Sequence, residues 1–200
     1  MIEKKIPFVG LHAHSVAGSI FDAIGYPDEH MDFCYENGGE ALALTDHGNM
    51  NGFSHQFLHW QKMQAEGKEF KPIFGVEAYF LPSIEEWRDD YERIKEDKKL
   101  AKSLAKQGDT SGATVEDEDA SKKAIKSVIN RRRHLVLLAQ NQTGLNNLFK
   151  LISASYKEEN FYRYPRVDYK MLAEHSEGVI AASACLGGPY AGNYWENRDE

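Results

Sequence analysis

Five short apolar runs recur along the chain, and stretches with helical periodicity separate them. The runs lie at about 6–12, 40–46, 72–81, 134–140 and 179–185 and are typical of buried strands. Helices are predicted at about 27–37, 50–65, 143–156 and 168–175, and a last polar one follows residue 187. This alternation predicts an α/β fold with parallel strands joined by helical crossovers. Polar groups follow most of the strands, which suggests a barrel-like sheet with its active site at the carboxyl ends of the strands.

The middle of the chain breaks this pattern, because residues 83–133 are highly charged. Two solvated helices are predicted there, at about 85–106 and 120–132. Between them, residues 108–119 are rich in Gly, Ser, Thr, Asp and Glu and are expected to be mobile. We interpret 83–133 as a charged, partly mobile insertion after the third strand.

Composition narrows the functional classes. The chain has 200 residues, a net charge of -7 and a pI of about 5.6, so it lacks a broad basic surface for nucleic acid. Any such contact must be local, mediated by metal or made by another part of the molecule. Two cysteines and no signal-peptide pattern predict a reducing cytoplasm. No apolar run approaches the roughly 18 residues of a membrane helix.

Candidate chemistry begins with His12 and His14, which end the first apolar run. Residues i and i+2 of a strand point to the same face, so the two imidazoles would project side by side and could bind a divalent metal. A pair of polar residues at a strand end is the alternative. The further donors at strand ends, or in the loops beside them, are Asp22, His47, Glu77, His134 and Cys185. Seven donors suit two or three metals that share ligands, and a carboxylate such as Glu77 can bridge two ions.

Several of these residues have a simpler interpretation. Asp22 could be an ordinary loop residue, and His134 could cap a strand. Cys185 could be a small core residue, as free cysteines usually are. Glu77 is harder to dismiss, because a carboxylate inside an apolar strand needs a partner. Asp46 and His47 are adjacent and face opposite ways in an extended chain, so we predict that only His47 enters the site.

The chain resembles the PHP (polymerase and histidinol phosphatase) domain at the amino end of bacterial-type, C-family DNA polymerase III alpha subunits. The order and approximate spacing of the matching segments agree over essentially the whole chain outside 83–133. These segments are Leu11–Ser15, Ala43–Met50, Gly75–Glu77, His134–Ala139, Asn141–Leu148, Pro165–Asp168, His175–Gly178 and Ser183–Gly188.

The resemblance implies a distorted (β/α)7 barrel with up to three divalent metals at its mouth, of which zinc, manganese or iron suit the donors best. Metal-competent members use nine ligands, and the seven donors named above match seven of them. The last two form an Asp-x-His motif, which does not occur after Cys185. Residues 1–200 are therefore expected to be an incomplete PHP domain, cut after about five strands and without the polymerase module.

The function implied by the resemblance is metal-dependent 3′–5′ exonuclease proofreading, with DNA synthesis by the polymerase module of the same chain. His12, His14 and Glu77 are the residues assigned to catalysis. The implied partners are the primer 3′ end of DNA, the polymerase module and other replisome subunits, without a membrane. Two alternatives remain, namely a catalytically silent docking domain and a PHP-type phosphomonoesterase. The 200-residue chain alone is expected to be weakly active or inactive.

Overall fold

A computed structural model describes residues 8–106 and 115–196, which form a mixed α/β fold. The strands are β1 (Ala41–Leu44), β2 (Lys71–Phe80), β3 (Arg133–Ala139), β4 (Phe161–Tyr162), β5 (Tyr164–Val167) and β6 (Val179–Ala182). The helices are α1 (Pro27–Glu36), α2 (Phe53–Ala65), α3 (Ile84–Lys106), α4 (Val115–Asn130), α5 (Gln142–Ser155), α6 (Tyr169–Glu174) and α7 (Pro189–Glu196). In the described ranges, no helix is both long enough and apolar enough to cross a membrane.

The long strand β2 organises the sheet. Its first half pairs in parallel with β1, from Ala41 opposite Lys71 onward. Its second half pairs antiparallel with β3 on one side and in parallel with β5 on the other. Strand β6 pairs antiparallel with β3, and β4 forms a short antiparallel pair with β5. Side chains of β2 therefore lie at the centre of six connected strands.

The prediction of an all-parallel sheet is wrong. Strand β3 runs antiparallel to β2, although the two helices between them are present as predicted. Helices α3 and α4 pack against each other, with the Trp87 indole donating a buried hydrogen bond of 2.8 Å to the Val128 carbonyl. This helical pair returns the chain to the end of β2 that it left, so β3 starts where β2 finishes.

The predicted first strand is also wrong over its described part, and residues 6–7 lie outside the described residues. The segment 8–12 lies alongside β1 but pairs with it only through a single parallel bridge, from Gly10 to Leu42. The Ala43 N–H donates to the Gly10 carbonyl at 2.7 Å, and the Thr45 N–H donates to the Ala13 carbonyl at 2.8 Å. The segment thus lies beside β1 without the regular ladder of a strand.

The two faces of β2 have different roles. Val76, Ala78 and Phe80 are buried against Leu148 and Leu151 of α5 in the main core cluster. Successive side chains of a strand alternate between faces, so Glu77 and Tyr79 project from the opposite face. The packing of α5 on one face therefore leaves Glu77 on the other face of the sheet.

The charged segment is partly described. Leu81, Ile84, Trp87 and Val128 form a buried cluster that packs α3 and α4 together. Of the stretch 108–119 that was predicted to be mobile, residues 108–114 lie outside the described residues. Its last five residues, 115–119, belong to α4. That 83–133 is an insertion stays a prediction.

Candidate metal centre

Glu77 lies at the centre of four histidines. Its side chain has no solvent exposure. Oε2 lies 3.1 Å from Nε2 of His12, Nε2 of His14 and Nδ1 of His47. Oε1 lies 3.0 Å from Nδ1 of His134. Two overlapping triads, His12–His14–Glu77 and His47–Glu77–His134, each have their ligand atoms within 4.8 Å of one another.

The contacts around Oε2 do not form a hydrogen-bond network. Oε2 of Glu77 and Nδ1 of His47 are buried, and neither has a hydrogen-bond partner of suitable geometry in the described part of the chain. A buried carboxylate oxygen without a hydrogen bond is costly. Converging nitrogen and oxygen donors would be satisfied by a cation between them, so the residues present fit a divalent metal.

Asp22 and Cys185 complete the group. Oδ2 of Asp22 lies 3.3 Å from Nε2 of His47. The Cys185 sulfur lies 3.7 Å from Oε1 of Glu77 and 3.5 Å from Nδ1 of His134, and it accepts a hydrogen bond of 3.3 Å from the Gly187 N–H. All seven donors named from the sequence thus lie in one cluster. Their role as metal ligands remains a prediction.

The electrostatics of the cluster favour an ionised Glu77. Burial by itself would raise the pKa of this carboxyl group, but the surrounding histidines hold the pKa below its ordinary value. The contact with Glu77 raises the pKa of His14, although burial opposes this. Burial lowers the pKa of His47, Glu77 opposes this, and the neighbouring His14 and His134 add to the lowering. A neutral His47 is the form that binds a metal.

Hydrogen bonds hold the segments that carry the histidines. Both oxygens of buried Asp46 accept from Ser15, at 2.6 Å from the backbone N–H and 2.8 Å from the hydroxyl. The His47 N–H donates to the Ser19 hydroxyl at 2.9 Å. Asp46 therefore turns towards Ser15, while His47 faces Glu77, as the alternation of adjacent side chains predicts.

Strand direction explains why His134 belongs to the cluster even though it begins a strand. Tyr79, near the end of β2, lies opposite His134 in the antiparallel register. Strand β6 is antiparallel to β3, so it runs in the direction of β2, and Cys185 follows its carboxyl end. The carboxyl ends of β2 and β6 and the amino end of β3 meet at one edge.

The sequence reasoning missed an aromatic side chain beside the cluster. The Tyr79 ring stacks on His47 at 5.9 Å between centroids and meets His134 edge-on at 5.6 Å. The Tyr164 ring also meets Tyr79 edge-on, at 5.2 Å between centroids. The signal was present, because Tyr79 is two residues from Glu77 in an extended strand and must share its face.

Known proteins resemble this chain over nearly its whole length. A family model described as "PHP domain" matches residues 10–197. The DNA polymerase III subunit alpha of Aquifex aeolicus is 35% identical over 181 residues, which cover 90% of this chain and 12% of that protein. The subunit alpha of Treponema pallidum is 35% identical over 189 residues, or 93% of this chain and 12% of that protein. That of Deinococcus radiodurans is 37% identical over 147 residues, or 74% of this chain and 8% of that protein. The chain, which spans only this small share of its relatives, belongs to the PHP domain family.

Proposed function

We propose that this chain is the PHP domain of a DNA polymerase III alpha subunit and that it hydrolyses phosphodiester bonds at DNA 3′ ends with bound divalent metals. The related subunits carry that polymerase name, and they match the chain over most of its length. In this proposal a polymerase module synthesises DNA and the PHP domain removes misincorporated nucleotides. Two free cysteines fit a cytoplasmic location.

The observation that carries the proposal is the desolvated carboxylate of Glu77 among four imidazoles. His12, His14 and Glu77 would hold one ion. Glu77, His134 and Cys185 would hold a second, and Asp22 and His47 would contribute to a third. Nitrogen, sulfur and carboxylate donors together suit zinc, manganese or iron better than magnesium. The expected barrel has further strands that would close the sheet beside β6.

The residues of the cluster have distinct tasks in this reaction. Divalent ions held by these residues would supply an activated water near neutral pH and would neutralise charge on the phosphoryl oxygens. Glu77 stays ionised, because the histidines lower its pKa, and it joins the two triads. The Asp46–Ser15 hydrogen bonds hold the His14 segment against the His47 segment. No side-chain nucleophile is needed.

Metal content and nucleotide release test the proposal together. We expect zinc-loaded and manganese-loaded wild-type protein to retain metal after desalting, as measured by mass spectrometry of the elements. Glu77→Ala and the isosteric Glu77→Gln are expected to lose most of it, because both triads contain Glu77. Glu92→Ala is the matched control, since Glu92 is exposed and, among the described residues, its ion pair is with Lys95 on α3.

The activity assay follows a primer labelled at its 3′ end, both with this chain and with a polymerase subunit that contains it. Release of mononucleotides that is lost in Glu77→Gln supports the nuclease. If the protein releases phosphate from a monoester but no nucleotide from the primer, the phosphomonoesterase replaces the nuclease as the proposed function. Full metal occupancy in Glu77→Ala would refute the assignment of the metal centre.

A further inference from the structure

A cationic side chain lies at the edge of the metal centre, held by two tyrosines. The guanidinium carbon of Arg132 is 3.8 Å from the ring centroid of Tyr164 and 5.2 Å from that of Tyr79. Tyr79 in turn packs on His47 and His134. The Tyr79 ring therefore contacts both the guanidinium group and two of the four imidazoles that surround Glu77.

The hydrogen-bonding capacity of Arg132 is largely unused. Its Nη1 donates to the Asn130 carbonyl at 3.0 Å, whereas its Nε is buried without an acceptor in the described part of the chain. No ion pair joins Arg132 to a carboxylate of the described residues. Its neighbour Arg131 differs, because it pairs with Asp90 at 2.7 Å. Arg132 is thus a cation held by its ring contacts, with donor capacity that the described residues do not fill.

The same surroundings make Arg132 suited to a phosphate. A guanidinium group that stacks on an aromatic ring keeps its N–H edge free and loses less conformational entropy when an anion binds. The chain has a net charge of -7, and Glu77 and Asp22 add negative charge to the mouth. A polyanionic substrate needs a local cation at such a site.

We propose that Arg132, supported by Tyr164 and Tyr79, binds a backbone phosphate of the nucleic-acid strand whose terminal phosphodiester lies in the metal centre. The proposal rests on the proposed function and adds a residue that binds the substrate outside the metal ligands. The competing explanation is that Arg132 only braces β5 against the end of β2 through its ring contacts.

Binding of a single strand separates these explanations without relying on hydrolysis. The probe is fluorescein-labelled decathymidylate with phosphorothioate linkages at its 3′ end, bound to the zinc-loaded chain and followed by anisotropy from about 50 mM to about 200 mM salt. We expect Arg132→Gln to weaken binding about tenfold and to lower the slope of log K against log salt by about 0.7, the value for one phosphate contact on a single strand.

Four further variants serve as controls. Arg131→Gln removes the same charge one residue away, and we expect a change below twofold. Arg132→Lys is expected to restore the salt slope but only part of the affinity, because a lysine lacks the planar fork. Tyr164→Leu should weaken binding when Arg132 is present and have little effect when it is replaced, whereas Tyr164→Phe should bind as wild type.

The outcomes distinguish this proposal from the nuclease itself. Equal binding by Arg132→Gln and Arg131→Gln, a lower affinity with an unchanged salt slope, or no binding by the wild type would overturn the phosphate site. Wild-type protein that binds the strand through Arg132 yet releases no nucleotide from an unmodified primer would refute the nuclease and support the phosphate site.

Discussion

Asp46→Ala is the substitution whose effect follows most directly from the structure. Asp46 is 3% exposed, and Ser15, its only hydrogen-bond donor in the described ranges, is fully buried. The two hydrogen bonds join the segment that carries His14 to the segment that carries His47. We expect their loss to destabilise the fold and to loosen the metal centre at the same time.

The magnitude follows from the two bonds. Hydrogen bonds to a charged group contribute about 1.5–3 kcal/mol each, and a buried donor left without a partner costs about 1–3 kcal/mol. Removing the carboxylate also removes the cost of burying it, so we expect a net loss of about 3 kcal/mol in the free energy of unfolding. Asp46→Asn should lose only about 1 kcal/mol, because its amide oxygen can accept from the Ser15 N–H and its nitrogen can donate to the hydroxyl.

Urea denaturation of the metal-free chain, in the presence of a chelator, measures these differences. Trp60 and Trp87 report on α2 and α3 through their fluorescence. Ser15→Ala removes only the hydroxyl contact to the charged carboxylate and should cost about 2 kcal/mol. A double-mutant cycle with Asp46→Ala should give a coupling of about that size. An Asp46→Ala variant within about 0.5 kcal/mol of wild type would refute the reasoning.

Three other substitutions or modifications test separate features. Gly48→Ala places a side chain at φ +67°, where a Cβ would lie 2.9 Å from a proline side chain, so we expect about 2 kcal/mol of destabilisation. Gly67→Ala is the control, because Gly67 has a similar φ but open space around it, and it should lose only about 1 kcal/mol in the same denaturation assay. Equal losses would contradict the steric part. Iodoacetamide should label exposed Cys185 before Cys34, because burial raises the pKa of the Cys34 thiol. Bound zinc should slow the labelling of Cys185. Peptide mass mapping measures the order of labelling, and earlier labelling of Cys34 would contradict this prediction. Trp87→Phe leaves a carbonyl of α4 without its buried indole donor and should cost about 1–3 kcal/mol by urea denaturation, and an unchanged midpoint would show that this contact is dispensable.

The secondary structure was largely predictable because it depends on local patterns. The apolar run of β2 and the helical spacing of α5 were both identifiable, and their observed bounds differ from the predicted ones by one residue. The direction of β3 was not predictable in this way. Two helices were predicted in the charged segment between β2 and β3, but their packing against each other, which returns the chain to the same edge, was not.

The sequence by itself determined which donor atoms are available and which of two neighbours faces inward. A spacing of two residues gave His12 and His14 a common direction, and adjacency separated His47 from Asp46, because side-chain alternation is a local property of extended chain. Only the tertiary structure decided that these donors meet at Glu77. The contacts join residues as far apart in sequence as Glu77 and Cys185, and they depend on the antiparallel pairing of β3 with β2 and β6, which no local pattern encodes. It likewise decided that Arg132 lies over Tyr164 and Tyr79, because that contact depends on how β2, β3 and β5 pack side by side.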